Sequence, residues 1–142
     1  MKVRDIMTYG VDSVAPSDSV KDAAQKMKKD NVGIIPVFEN GEPVGLITDR
    51  DITVRIIAEG KDPLTTTVSE AMTHQVLFCM ENMDVEEAAH IMEYKKVRRL
   101  LVKDDERRVV GVLSIGDIAT SMTNEFAGEV LKEVTGVAYP ER

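Results

Sequence analysis

Aromatic side chains are nearly absent from this chain of 142 residues, which has no Trp, three Phe and three Tyr. Its core must therefore be aliphatic, built from Val, Ile, Leu, Ala and Met. One cysteine, Cys79, excludes an internal disulfide. With only two histidines, His74 and His90, it forms no recognisable zinc pattern, so no metal is expected. No apolar run approaches the roughly 18 residues that a spanning helix needs. The opening MKVRDIMTYG lacks the apolar stretch of a secretory signal, so a cytoplasmic location is expected. Basic residues are in the minority, 18 against 25 acids, for a net charge of -7. That balance disfavours nucleic acid and anionic membrane as partners, because phosphate affinity comes from Lys and Arg.

What is present is an internal repeat. At a shift of 65 residues, Val3, Met7, Thr8 and Val11 fall on Val68, Met72, Thr73 and Val76. Val20, Ala23, Ala24 and Met27 fall on Val85, Ala88, Ala89 and Met92. One extra residue near Asp104 to Arg108 then moves the shift to 66. Val44, Gly45, Asp51 and Ile52 fall on Val110, Gly111, Asp117 and Ile118. The expected division is a first repeat at 1–59, a linker at 60–67, a second repeat at 68–124 and a tail at 125–142. The tail reads as one or two helical turns ending in Gly136 and Pro140.

Each copy reads as β-α-β-β-α, an α/β (α+β) chain. A turn (Val3 to Met7; Val68 to Met72) leads to a short strand (Val11 to Val14; Val76 to Cys79). The next helix carries Val20, Ala23, Ala24 and Met27, or Val85, Ala88, Ala89 and Met92, at i, i+3, i+4, i+7 spacing. Two strands follow, Ile34 to Phe38 and Val44 to Thr48. Asn40-Gly41 between them is a hairpin signature. The second copy has Arg99 to Lys103 and Val109 to Ser114, joined by a charged turn. Closing helices start near Asp49 and Ile115.

Both copies end their last strand alike. The first has Gly45-Leu46-Ile47-Thr48-Asp49-Arg50-Asp51, the second Gly111-Val112-Leu113-Ser114-Ile115-Gly116-Asp117. A hydroxyl with an acid three residues on is a helix capping box. Ser19 with Asp22, and Asp84 with Glu87, are candidates for the same device. The motif also suits a nucleoside. A carboxylate accepts two hydrogen bonds from paired ribose hydroxyls, as an acid does in dinucleotide-binding folds. A free helix N-terminus suits an anion. Capping and ligand binding are both open readings.

The repeated motif, its preceding strands Val32-Gly33-Ile34-Ile35-Pro36-Val37 and Val97-Arg98-Arg99-Leu100-Leu101-Val102, and the Ile-Met-Thr and Ala-Met-Thr starts resemble the CBS-domain family. The resemblance covers residues 1 to 122 and is strongest to stand-alone bacterial CBS pairs. It implies two CBS repeats packed about a pseudo-two-fold axis, with ligand sites in the clefts between them. It implies a regulatory module that binds an adenosine-containing ligand of the AMP, ADP or ATP type, NAD and S-adenosylmethionine being other members of the class. Thr48, Asp51, Ser114 and Asp117 would meet ribose or phosphate. Arg50, Arg98 and Arg99 would meet phosphates, and Val32, Ile34, Leu46, Val97 and Val112 the adenine. It further implies a homodimer and a separate effector protein. The alternative is a structural or oligomerisation module that holds no nucleotide. No catalytic residues are expected: neither histidine has a Cys or Ser partner for nucleophilic chemistry. Cys79, Met27 and Met92 read as core, His90 as solvent-facing, and Lys103 to Arg108 as a hairpin turn.

Overall fold

A computed structural model describes residues 1–121 and 124–135, so Gly136 and Pro140 lie outside the described residues. The chain forms two compact units. One is continuous, Val11–Val76; the other is split, joining Met1–Gly10 to the described residues from Leu77 onward.

In the continuous unit, helix α1 (Val20–Asp30) starts where the Ser19 Oγ accepts the Asp22 N–H at 3.1 Å. It buries Val20, Ala23 and Met27 and stops at Asn31, whose φ of 55° is left-handed. Strands β2 (Ile34–Glu39) and β3 (Glu42–Thr48) pair antiparallel. Their connection is the two-residue Asn40-Gly41, with φ of 54° and 78°, the positive values that a tight hairpin turn requires. A bulge at Val37/Phe38 falls opposite Pro43, which has no N–H to offer the ladder. Helix α2 (Asp49–Asp51) continues as a π-helical stretch, Ile52–Ile57, and α3 (Val68–Ala71) completes the unit. Val20, Met27, Ile35, Val37, Ile47, Ile56 and Val68 are packed in its core.

In the split unit a 3-10 turn (Val3–Asp5) precedes β1 (Thr8–Tyr9). Then come β4 (Phe78–Met80), α4 (Val85–Lys95), β5 (Arg99–Lys103) and β6 (Val109–Ser114). The sheet order is β1-β6-β5-β4, with β4 parallel to β5 and the other pairs antiparallel. Helices α5 (Ile115–Ser121) and α6 (Asn124–Thr135) follow. Val85, Met92, Leu100, Leu113, Ile118, Val130 and Val134 share its core.

The opening segments of the two repeats are exchanged between the units. Thr8, from the first repeat, pairs with Val112 of the second. Thr73, from the second, bridges to Leu46 of the first. Two further backbone contacts correspond between the units. The Val20 N–H donates to the Thr66 carbonyl, and Val85 to that of Met1. The Val68 N–H donates to the Asp18 carbonyl, and Val3 to that of Met83. The sequence periods 1–59 and 68–124 therefore differ from the compact units. The stretch at 60–67 is packed rather than loose. Its Pro63 and Thr66 carbonyls accept the first N–H groups of α1, and Thr66 is buried.

Four expectations change in detail. The first short strand is a single parallel bridge, Val14 to Val37, and the second begins at Phe78 rather than Val76. Asp84 makes no side-chain cap, because its carboxylate meets the Lys2 Nζ at 3.1 Å. The described part of the tail, to Thr135, is a longer helix than one or two turns, α6, since Val130 and Val134 bury one face of it in the split unit.

Candidate functional site

The motif residues of each unit sit at a strand-to-helix junction, where the capping box is realised. The Thr48 N–H donates to Asp51 Oδ2 at 3.0 Å, and the Asp51 N–H to Thr48 Oγ1 at 3.1 Å. The Ser114 N–H donates to Asp117 Oδ2 at 2.8 Å, and the Asp117 N–H to Ser114 Oγ at 3.1 Å. Capping and ligand binding are compatible here. Each hydroxyl accepts one bond and keeps its own proton to donate.

The glycine that opens each motif has a separate reason. A Cβ on Gly45 would stand 2.6 Å from the Thr73 carbonyl oxygen, and one on Gly111 would stand 2.1 Å from that of Thr8. Only glycine lets the exchanged segment pair this closely.

The two junctions are not equally furnished with donors. At α2 the Asp49 N–H donates to the Gly33 carbonyl at 3.0 Å, and the Arg50 N–H to Asp49 Oδ1 at 2.8 Å. With Asp51 on the Thr48 hydroxyl, the first three helix donors are spent. The expected free helix N-terminus is therefore lacking at α2. At α5 the Ile115 N–H is likewise held by the Arg98 carbonyl at 2.8 Å, but the Gly116 N–H has no partner among the described residues.

The other expected site residues are spread over both units. Arg50 is exposed in the first turn of α2. Arg98 is exposed just ahead of β5, and Arg99 is half-buried as its first residue. Val32, Leu46 and Val97 are half-buried, whereas Ile34 and Val112 are buried and present little surface to a ligand. Sequence reasoning missed two residues that reach Asp51. The Thr73 Oγ1 stands 3.4 and 3.5 Å from its two carboxylate oxygens, and the Arg55 Nε stands 3.9 Å from Oδ1. Thr73 belongs to the repeated Met-Thr start, the one signal that marked it.

Cys79 is buried, and burial pushes its thiol up to about 12, where it is neither nucleophile nor ligand at neutral pH. Among the described residues no three His, Cys, Asp or Glu are grouped as metal ligands, and no helix is long and apolar enough to cross a membrane.

Comparison with known proteins fits this geometry. The CBS domain family matches residues 3–58 and 68–124. The CBS domain-containing protein YhcV of Bacillus subtilis is 40% identical over 134 residues, 94% of each chain. A crystal structure of the CBS domain pair of protein MJ0100, in complex with 5-methylthioadenosine and S-adenosyl-L-methionine, is 31% identical. Its TM-score is 0.70, covering 91% of this chain and 98% of that one. Hypoxic Response Protein I, solved with two coordinated zinc ions, is 32% identical with a TM-score of 0.69, covering 87% and 100%. These matches indicate no catalytic family.

Proposed function

Because the chain belongs to the CBS-domain family and carries two such domains in tandem, we propose that it is a regulatory module for an adenosine-containing ligand. AMP, ADP and ATP are the first candidates, with NAD and S-adenosylmethionine in the same class. The observation that carries this reading is the Ser114/Asp117 pair. It is held rigid by mutual capping while the hydroxyl proton and a carboxylate oxygen remain to meet a ribose diol. Asp117 Oδ1 makes no hydrogen bond among the described residues. Arg98 and Arg99 lead into the neighbouring strand, where guanidinium groups suit phosphate oxygens. Val97 adds apolar surface for the base, as Val32 and Leu46 do in the other unit. The adenosyl complex of the MJ0100 pair supports the ligand class. In this reading the chain acts as a homodimer, and ligand binding shifts a conformational equilibrium that a separate effector protein reads.

A second reading has its own observation. Thr48 and Asp51 cap one another, and the Thr73 hydroxyl adds a donor from within the same unit, so structural contacts alone account for that pair. A purely structural or oligomerisation module would look like this at both junctions. A thermal-shift screen with AMP, ADP, ATP, NAD and S-adenosylmethionine separates the two. A ligand at 100 times its dissociation constant adds about 2.7 kcal/mol of stability. Asp117→Ala should abolish that gain. If no compound raises the melting temperature, the structural reading stands. Size-exclusion chromatography with light scattering tests the dimer.

A further inference from the structure

The two motifs share a sequence pattern but not the surroundings of their acid. Asp51 is 9% exposed and has donors at both carboxylate oxygens. Oδ2 takes the Thr48 N–H at 3.0 Å, and the Thr73 hydroxyl spans Oδ1 and Oδ2 at 3.4 and 3.5 Å. Arg55 fixes this arrangement from behind. Its Nη1 donates to the carbonyls of Ala71 at 3.2 Å and Met72 at 3.1 Å, the two residues that lead into Thr73. Its Nε lies 3.9 Å from Asp51 Oδ1. Thr73 is further fixed by its backbone bridge to Leu46.

The counterparts in the split unit do otherwise. Thr8, the repeat mate of Thr73, makes no side-chain hydrogen bond to Asp117 among the described residues. Ser121 stands where the 66-residue shift puts Arg55, and its hydroxyl donates to the Asp117 backbone carbonyl rather than to the carboxylate. One acid is thus enclosed by its own unit, and the other keeps an oxygen for an outside donor.

We infer that Thr73 and Arg55 form an internal latch that occupies Asp51 in place of a ribose diol, so that each chain takes one adenosyl ligand, at Ser114/Asp117. The inference rests on the adenosyl reading above and adds the residues that decide which motif is used. The chemistry is competition for lone pairs. The Thr48 N–H and the Thr73 proton take two of the roughly four lone-pair sites of the Asp51 carboxylate, the Arg55 guanidinium stands close to Oδ1 without bonding it, and at 9% exposure the remaining sites offer two ribose hydroxyls little access. Removing the hydroxyl and the guanidinium returns those positions to a ligand.

Calorimetric titration of the full chain with AMP, ADP, ATP, NAD and S-adenosylmethionine in turn tests this. The native chain should bind one equivalent, lost in Asp117→Ala and retained in Asp51→Ala. The double variant Thr73→Val, Arg55→Gln should bind two. Valine keeps the shape of threonine and leaves the backbone bridge to Leu46 in place. The persisting Asp117 site reports that this variant is folded. Two equivalents on the native chain, one equivalent lost in Asp51→Ala, or a double variant that still binds one, each overturns the latch but leaves the adenosyl reading standing. Failure of every compound on both native and double-variant chains removes the adenosyl reading and the latch with it.

Discussion

The carbonyl oxygen of Thr8 lies 2.1 Å from where a Cβ on Gly111 would be. The repeat mates, Thr73 and Gly45, stand in the same relation at 2.6 Å. Backbone rather than a flexible side chain is the obstacle, so it cannot swing aside. Gly45→Ala should cost about 1–3 kcal/mol as an overpacked site, and Gly111→Ala more than Gly45→Ala. Urea unfolding of both variants checks the order. Equal and negligible costs would refute the close approach of the exchanged segments.

Helix α6 is held by an apolar face that includes Val130 at 0% exposure, while the adjacent Leu131 is 46% exposed. Val130→Ala should destabilise the chain by about 2 kcal/mol, from lost burial and the cavity left behind. Leu131→Ala should stay within about 0.5 kcal/mol. Matching losses in thermal unfolding would mean that α6 does not dock on this face.

Asp104 organises the β5–β6 turn. Its Oδ1 accepts the N–H groups of Glu106 and Arg108 and its Oδ2 the Arg108 Nε, all at 2.9 Å. The Arg108 backbone N–H, followed by the Arg108 side chain, holds this carboxyl below its ordinary value. A folded-state value below the unfolded one means a contribution that is complete above the unfolded-state value of about 3.9. It is lost as pH falls through the lower folded-state value. The melting temperature of Asp104→Asn should therefore trail that of the native chain at pH 7, with the gap closing below pH about 4. A gap independent of pH would count against the charged turn.

The Cys79 thiol, buried and raised to about 12, should resist Ellman's reagent at pH 8 in the folded chain and react once urea unfolds it. Fast reaction of the folded protein would place the thiol at the surface.

Local chemistry was the legible part of this fold. Asn40-Gly41 announced its hairpin because few residues accept two successive positive φ values. Ser19 announced α1, and β5 and β6 have the bounds their apolar runs suggested. The exchange of opening segments was not legible. Thr8 and Thr73 have near-identical neighbours, and either copy's hairpin offers the same edge, so the pattern does not state which edge each segment joins. The Asp84 cap failed for a related reason, since Lys2 competes for its carboxylate from across the sequence. At the site, the hydroxyl and acid were visible because they are close in the chain. The roles of Thr73 and Arg55 at Asp51 arise from contacts that spacing does not encode.

The exchange also orders events during synthesis. Residues 1–10 are made before the β6 edge they join exists. Residues 11–76 form a compact unit of their own and can close once Thr73 has emerged to bridge Leu46. Residues 1–10 wait as an unpaired strand until β6 is made, and a second nascent chain nearby offers them the same β6 edge.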